Sequence, residues 1–160
     1  MKQIKTYINE RLHVTSNSFY TCQPKNKYEL HDIIIERIEN EGNECDLNDI
    51  DVSKITDMSH LFDADIDEIF NDFNGDISMW NVSNVEDMTC MFYSCKKFNC
   101  DISQWNVSNV KDMEWMFHGC EKFNGNKLYR WDVSNVTDME EAFWNCPTIP
   151  KWYDRDEWEL

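Results

Sequence analysis

Three carboxylates alternate at Asp63-x-Asp65-x-Asp67, as they do where a calcium loop opens, and Glu68 and Asp72 stand close by. The match ends there, because Glu68 falls where such a loop needs Gly and Asn74 where it needs a bidentate Glu. The four histidines, His13, His31, His60 and His118, form no His-x-x-x-His or Glu-x-x-His pair. Cys90, Cys95 and Cys100 are spaced by five, unlike the Cys-x-x-Cys knuckles of structural zinc. These spacings predict no metal ion and no cofactor. No Gly-x-Gly-x-x-Gly, P-loop or Gly-x-Ser-x-Gly occurs, and 4 Gly could hardly supply phosphate cradles. Paired acid–base catalysis needs a cleft that fixes two carboxylates at a set distance. Nothing in the sequence calls for one, and the chain reads as non-catalytic.

The residues that remain as candidates are positioned by an internal repeat. Trp80-Asn-Val-Ser-Asn-Val-Glu-Asp-Met88 recurs as Trp105-Asn-Val-Ser-Asn-Val-Lys-Asp-Met113 and as Trp131-Asp-Val-Ser-Asn-Val-Thr-Asp-Met139. Each copy continues in phase through Phe92, Phe117 and Phe143, then Cys95, Cys120 and Cys146. A degenerate earlier copy, Asp51-Val-Ser-Lys-Ile-Thr-Asp-Met58, carries a five-residue insertion between Phe62 and Phe73. The predicted core is therefore Trp80, Trp105, Trp131, Met88, Met113, Met139, Phe92, Phe117, Phe143, Cys95, Cys120 and Cys146.

Within a copy, Val110, Met113, Met116, Phe117 and Cys120 fall 3, 3, 1 and 3 apart, which predicts one apolar stripe of a helix. Asn109 suits its N-cap and Asp112 its first turn. The stretch Phe98-Asn-Cys-Asp-Ile-Ser-Gln-Trp105 reads as a short strand entering a loop. Each unit is thus expected to be a strand, a polar turn and a helix. A single unit of this size has too few apolar groups to offset its ordering entropy, so the copies must stack. The expected fold is α/β: a leucine-rich-repeat-like solenoid of about four strand–turn–helix units. Residues 46–150 form the repeat, with units at about 46–75, 76–100, 101–125 and 126–150. Stacking would set Asn74, Asn99 and Asn124 one above another, their side-chain amides satisfying loop backbone groups.

The pattern Phe-Asn-x-Asp-Ile-Ser-x-Trp-Asn-Val-Ser-Asn-Val-x-Asp-Met-x-x-Met-Phe-x-x-Cys resembles the BspA-type leucine-rich-like repeat over about residues 46–150. That repeat occurs in bacterial surface proteins, in mycoplasma proteins of unknown function, and in gut bacteria and their phages. The resemblance implies a right-handed solenoid of leucine-rich-repeat type and a role in binding or adhesion. None of the matched positions is catalytic in that family.

Residues 1–45 lack the repeat and read as an N-terminal helical cap. Asn26 and Glu29 have capping-box spacing, Leu30, Ile33, Ile34 and Ile38 recur at helical spacing, and Gly42 is a stop. Residues 1–22 are expected to add a strand or hairpin. Residues 151–160 read as a C-terminal cap or tail, with Trp152 and Trp158 folding over the last unit.

Fifteen basic against 31 acidic side chains give a net charge of −16, which disfavours direct binding of a phosphate backbone. Almost all of that charge lies beyond residue 45, and Asp46–Asp76 holds ten acids with only Lys54 among them. No apolar leader is visible at the N-terminus, and the densest apolar run is Ile33-Ile34-Ile35, far short of a membrane span. Seven cysteines, three at repeat-equivalent positions, suggest reduced thiols and a cytoplasmic protein, in the host cytoplasm if phage-encoded.

Comparing copies shows where the repeat varies. Two positions three apart change together: His60/Asp63, Cys90/Tyr93, Trp115/His118 and Glu141/Trp144. Tyr93, Trp115, His118, Glu141 and Trp144 are therefore the expected partner-binding ridge, since Trp and Tyr dominate interface hot spots. The acidic insertion, Asp63, Asp65, Asp67, Glu68 and Asp72, is the second candidate contact. Ser78, Ser103 and Tyr129, with Met79, Gln104 and Arg130 beside them, form a weaker third set. The function expected is protein–protein recognition inside the cell, with no membrane partner. One alternative is a phage-encoded inhibitor that mimics nucleic acid to occupy a basic nucleic-acid-binding or defence protein. Another is a surface adhesion or virion-associated module.

Overall fold

A computed structural model describes residues 19–158. Asn26 caps helix α1 (Lys27–Glu41), its side-chain oxygen accepting the backbone N–H groups of Tyr28 and Glu29, both at 3.0 Å. The helix buries Leu30, Ile33, Ile34 and Ile38 and ends at Gly42, whose φ of 90° suits a residue without a Cβ. Lys27 ties it to the first coil, reaching Asp57 at 3.0 Å and the Ser59 hydroxyl. Residues 1–18 of the expected N-terminal strand or hairpin lie outside the described residues. Cys22 forms a parallel bridge to Ile50.

The repeat is built from turns. Among the described residues no strand extends beyond isolated parallel bridges, and no α-helix lies between 46 and 150; only the 3-10 turns Glu68–Asp72 and Gly125–Leu128 do. This overturns the α/β solenoid of strand–turn–helix units, and with it the leucine-rich-type unit. The backbone shows why. The N–H groups of Met88, Cys90, Phe92 and Ser94 donate to the carbonyls of Asp112, Glu114, Met116 and His118 on the next coil, at 2.8–2.9 Å. The residues between them fold back instead: Met91, Tyr93 and Cys95 donate to Met88, Cys90 and Phe92, three positions earlier, at 3.1 Å. A helix needs every N–H to reach the carbonyl four residues back, and here half of them leave for a neighbour. Consecutive i to i+3 turns bring the same three-residue spacing to the interior that a helix would. Cys90 and Ser94 hold φ of 52° and 58°, which no helix tolerates.

The residues assigned as helix caps have other partners. The Asn109 amide donates to Ser83 O on the previous coil at 2.7 Å, as Asn84 does to Ser53 and Asn135 to Ser108. The Asp112 carboxylate closes a local turn by accepting the N–H of Glu114 at 3.0 Å. The same two-residue-on bond recurs at Asp51, Asp57, Asp76, Asp87, Asp101, Asp132 and Asp138. Much of the acidity is therefore turn chemistry.

The coils pack through columns of like residues. Phe62, Phe92, Phe117 and Phe143 stack at 5.2–5.5 Å between successive rings, interleaved with Phe73, Phe98 and Phe123. The indole N–H groups of Trp80, Trp105, Trp131 and Trp152 donate to Leu47, Ile77, Ile102 and Leu128 O, each one coil back. The thiols of Cys95, Cys120 and Cys146 likewise donate to Phe62, Phe92 and Phe117 O. Met88, Met113 and Met139 are buried beside them. Asn74 and Asn99 each accept, through the side-chain oxygen, the N–H of the asparagine one coil on, at 2.8 and 3.1 Å. At the far end Tyr153 is buried against Phe143, and the carbonyl of Trp158, in the short helix α2 (Arg155–Trp158), accepts the Glu141 N–H.

Candidate functional site

The paired variable positions are the two ends of one turn. His60, Cys90, Trp115 and Glu141 all take left-handed φ values, between 47° and 57°. Each donates its backbone N–H to the next layer: to Thr89, Glu114, Glu140 and Trp158 O. Three residues on, Tyr93, His118 and Trp144 donate back to the carbonyls of Cys90, Trp115 and Glu141 at 3.0–3.1 Å. A left-handed residue sends its side chain off the path of its neighbours, so His60, Tyr93, Trp115, His118, Glu141 and Trp144 keep solvent exposure at the outer edge of the coils, whereas Asp63 and Cys90 at the paired positions are buried. The edge is a turn surface, and the helix face assigned to these positions is absent.

The structure gathers five of the candidate residues into one patch. The Tyr93 and His118 rings stack at 4.7 Å and 12°, and His118 continues to Trp144 at 6.5 Å and 20°. Trp115 meets Tyr93 edge-on at 6.5 Å. His118 Nδ1 lies 3.3 Å from Glu141 Oε2 without the alignment of a hydrogen bond. Trp115 and Trp144 remain 36% and 48% exposed, large values for residues that interiors usually claim. Burial first, and then Asp65 and its neighbours, push the Tyr93 phenol above its ordinary pKa and keep it neutral.

The acidic insertion divides. Asp63 points inward: its carboxylate accepts the Asp65 N–H at 2.9 Å and meets His60 Nδ1 at 2.7 Å. Asp67 caps the 3-10 turn through the Ile69 N–H at 3.1 Å. Asp65, Glu68 and Asp72 are exposed, and Asp72 lies 3.8 Å from Lys97. The third set sits on turns where strands were expected. Met79, Gln104 and Tyr129 are exposed, Ser78 and Ser103 are partly covered, and Arg130 lies over the Tyr129 ring at 5.2 Å.

One grouping escaped the reading of sequence spacing. His60, Asp63 and Cys90 bring a ring nitrogen, a carboxylate oxygen and a thiol sulfur within 4.8 Å of one another. Cys90 is thirty residues from His60, but His60 N donates to Thr89 O at 2.9 Å, so one coil of stacking makes them neighbours. The visible signal was that all three stand at varying positions of the repeat. Burial, and then the charges of Asp63, Glu114, Asp112 and Asp87, push the Cys90 thiol up to about 12. As a nucleophile it would be inert.

Residues 34–155 match the model of a family described as Mycoplasma protein of unknown function, DUF285. No curated protein and no solved structure is similar enough to count as a match. No helix among the described residues is long and apolar enough to cross a membrane.

Proposed function

The chain belongs to that Mycoplasma family, and from this premise we propose that it is a non-catalytic module that binds a protein partner through the ridge of Tyr93, Trp115, His118, Glu141 and Trp144. The observation that carries the reading is the stack from Tyr93 through His118 to Trp144, with both tryptophans open to solvent. Aromatic rings held rigid by a backbone ladder lose little entropy on docking and present large apolar area. Exposed Asp65, whose charge reaches Tyr93, together with exposed Glu68 and Asp72 of the same insertion, favours a partner with a basic surface. We assign the repeat itself to the BspA-type class on the motif it carries. We place the protein inside the cell, because the buried thiols of Cys95, Cys120 and Cys146 act as hydrogen-bond donors, a role that only reduced cysteine fills.

Mimicry of nucleic acid is the weaker reading, because so many of the carboxylates close turns. Affinity capture from the native host, compared between the wild type and Trp144→Ala, decides between them. A partner that survives a rise from about 50 to about 500 mM salt and is lost with Trp144→Ala supports the ridge. A partner that leaves with salt and is displaced by DNA supports mimicry. A partner retained by the variant at both salt levels rejects the ridge.

A further inference from the structure

We propose that His60, Asp63 and Cys90 form a binding site for one divalent transition-metal cation of the zinc type. The site goes beyond the protein-binding reading, since no part of it needs a partner, and its failure would leave that reading standing.

The donor set selects the ion. One imidazole, one carboxylate and one thiolate are borderline and soft ligands that suit zinc, whereas calcium and magnesium demand oxygen throughout. Copper(I) prefers sulfur donors, of which only one is present. Two anionic ligands balance the charge of a divalent cation. The protein also holds the donors ready. Asp63 is 4% exposed and keeps one oxygen on the Asp65 N–H, which orients the other toward His60. Cys90 is equally buried, fixed by its N–H bond to Glu114 O. His60 is 45% exposed through its side chain, which leaves an entry route and a solvent-facing coordination position.

The other coils put different groups at these positions. Trp115, His118, Glu141 and Trp144 supply no thiol, so the three-donor set arises only where the first coil of the repeat meets the second. The charges of Asp87, Asp112 and Glu114 reach the thiol, and negative potential at the site raises the local concentration of cations, although the same charges oppose loss of the thiol proton until the metal–sulfur bond forms.

Binding has a definite proton balance. The cation takes the place of the direct His60 Nδ1–Asp63 contact, each group turning a lone pair to it. Cys90 loses its thiol proton to solvent as the metal–sulfur bond forms. One proton is therefore released for each cation bound.

The test is a titration of the full reduced chain with cobalt(II), followed by displacement with zinc(II). The expected result is one equivalent bound, a sulfur-to-cobalt charge-transfer absorption that zinc abolishes, and one proton released. Cys90→Ser should remove the absorption, whereas Cys100→Ser, at a thiol outside the site, should keep it. His60→Ala, which also removes the partner of the buried Asp63 carboxylate and is therefore checked for folding, should weaken zinc by more than the roughly 10–100-fold that loss of an outer ligand-supporting group costs. Near-ultraviolet circular dichroism checks that each variant is folded. Cobalt bound without sulfur absorption, an absorption that Cys90→Ser retains, or unchanged zinc affinity in His60→Ala overturns the site.

Discussion

The Trp105 indole N–H donates to the carbonyl of Ile77, 3.2 Å away and one coil earlier, while its ring lies parallel to that of Trp80 at 6.5 Å and 4°. The side chain thus joins two layers twice, once by a directed bond in a dry interior and once by stacked area. The indole bond recurs at Trp80, Trp131 and Trp152, so each of these coils is tied to the one before it.

Trp105→Phe keeps most of the ring and removes the donor, leaving the Ile77 carbonyl buried without that partner. The expected loss is about 1–3 kcal/mol. Trp105→Ala should cost about 3–5 kcal/mol, since the cavity cannot close between two fixed layers. Urea midpoints measured at constant slope check both, and equal midpoints for Trp105→Phe and the wild type would contradict the ladder.

Ser94 and Gly119 occupy equivalent turns, at φ of 58° and 74°. Ser94→Gly should stabilise the fold by about 0.5–1 kcal/mol by relieving the left-handed backbone. Gly119→Ala should destabilise by about 1–2 kcal/mol. An added Cβ would sit 3.4 Å from Ser94 Cα, an ordinary contact, so that cost is conformational. Thermal melts of the two variants should move in opposite directions.

Trp144→Ala should leave stability within about 0.5 kcal/mol of the wild type, because the ring is half exposed at the edge of the stack. Partner affinity should fall by about 2 kcal/mol or more if the ring anchors the interface. Parallel melting and binding measurements separate these effects. A large drop in melting temperature would return Trp144 to a structural role.

Acid should weaken the fold through its turns. The Ser78 N–H, opposed by burial and helped by the Ser78 hydroxyl, holds the Asp76 carboxyl below the usual carboxylate range. The Ser103 hydroxyl and N–H do the same for Asp101. A folded pKa below the unfolded one, near about 3.9, contributes stability above that value. The contribution disappears as pH falls through the folded pKa. Asn at both positions keeps the turn and removes the titration, so the double variant should lose less stability than the wild type between pH 7 and pH 3. Identical losses, read from denaturant midpoints at the two pH values, would rule this out.

The amino-acid sequence alone determined the repeating set of side chains that goes inside and how far apart the layers recur, but not that Asp63 and Cys90 join them. Trp80, Trp105 and Trp131, the Met and Phe positions and the three cysteines stand out because identical coils present identical faces, and α1 is legible because Asn26 and Gly42 mark its ends locally. The ridge was visible as variation against that constant frame. The path of the backbone was not. Apolar residues three apart fit a helical stripe and a run of i to i+3 turns equally, and only the destination of each N–H separates them. That destination is the next coil, twenty-five or so residues away, so the tertiary stack alone decided turns over helices. The meeting of His60 and Asp63 with Cys90 has the same origin, since registry between layers, and no spacing along the chain, brings their donors together.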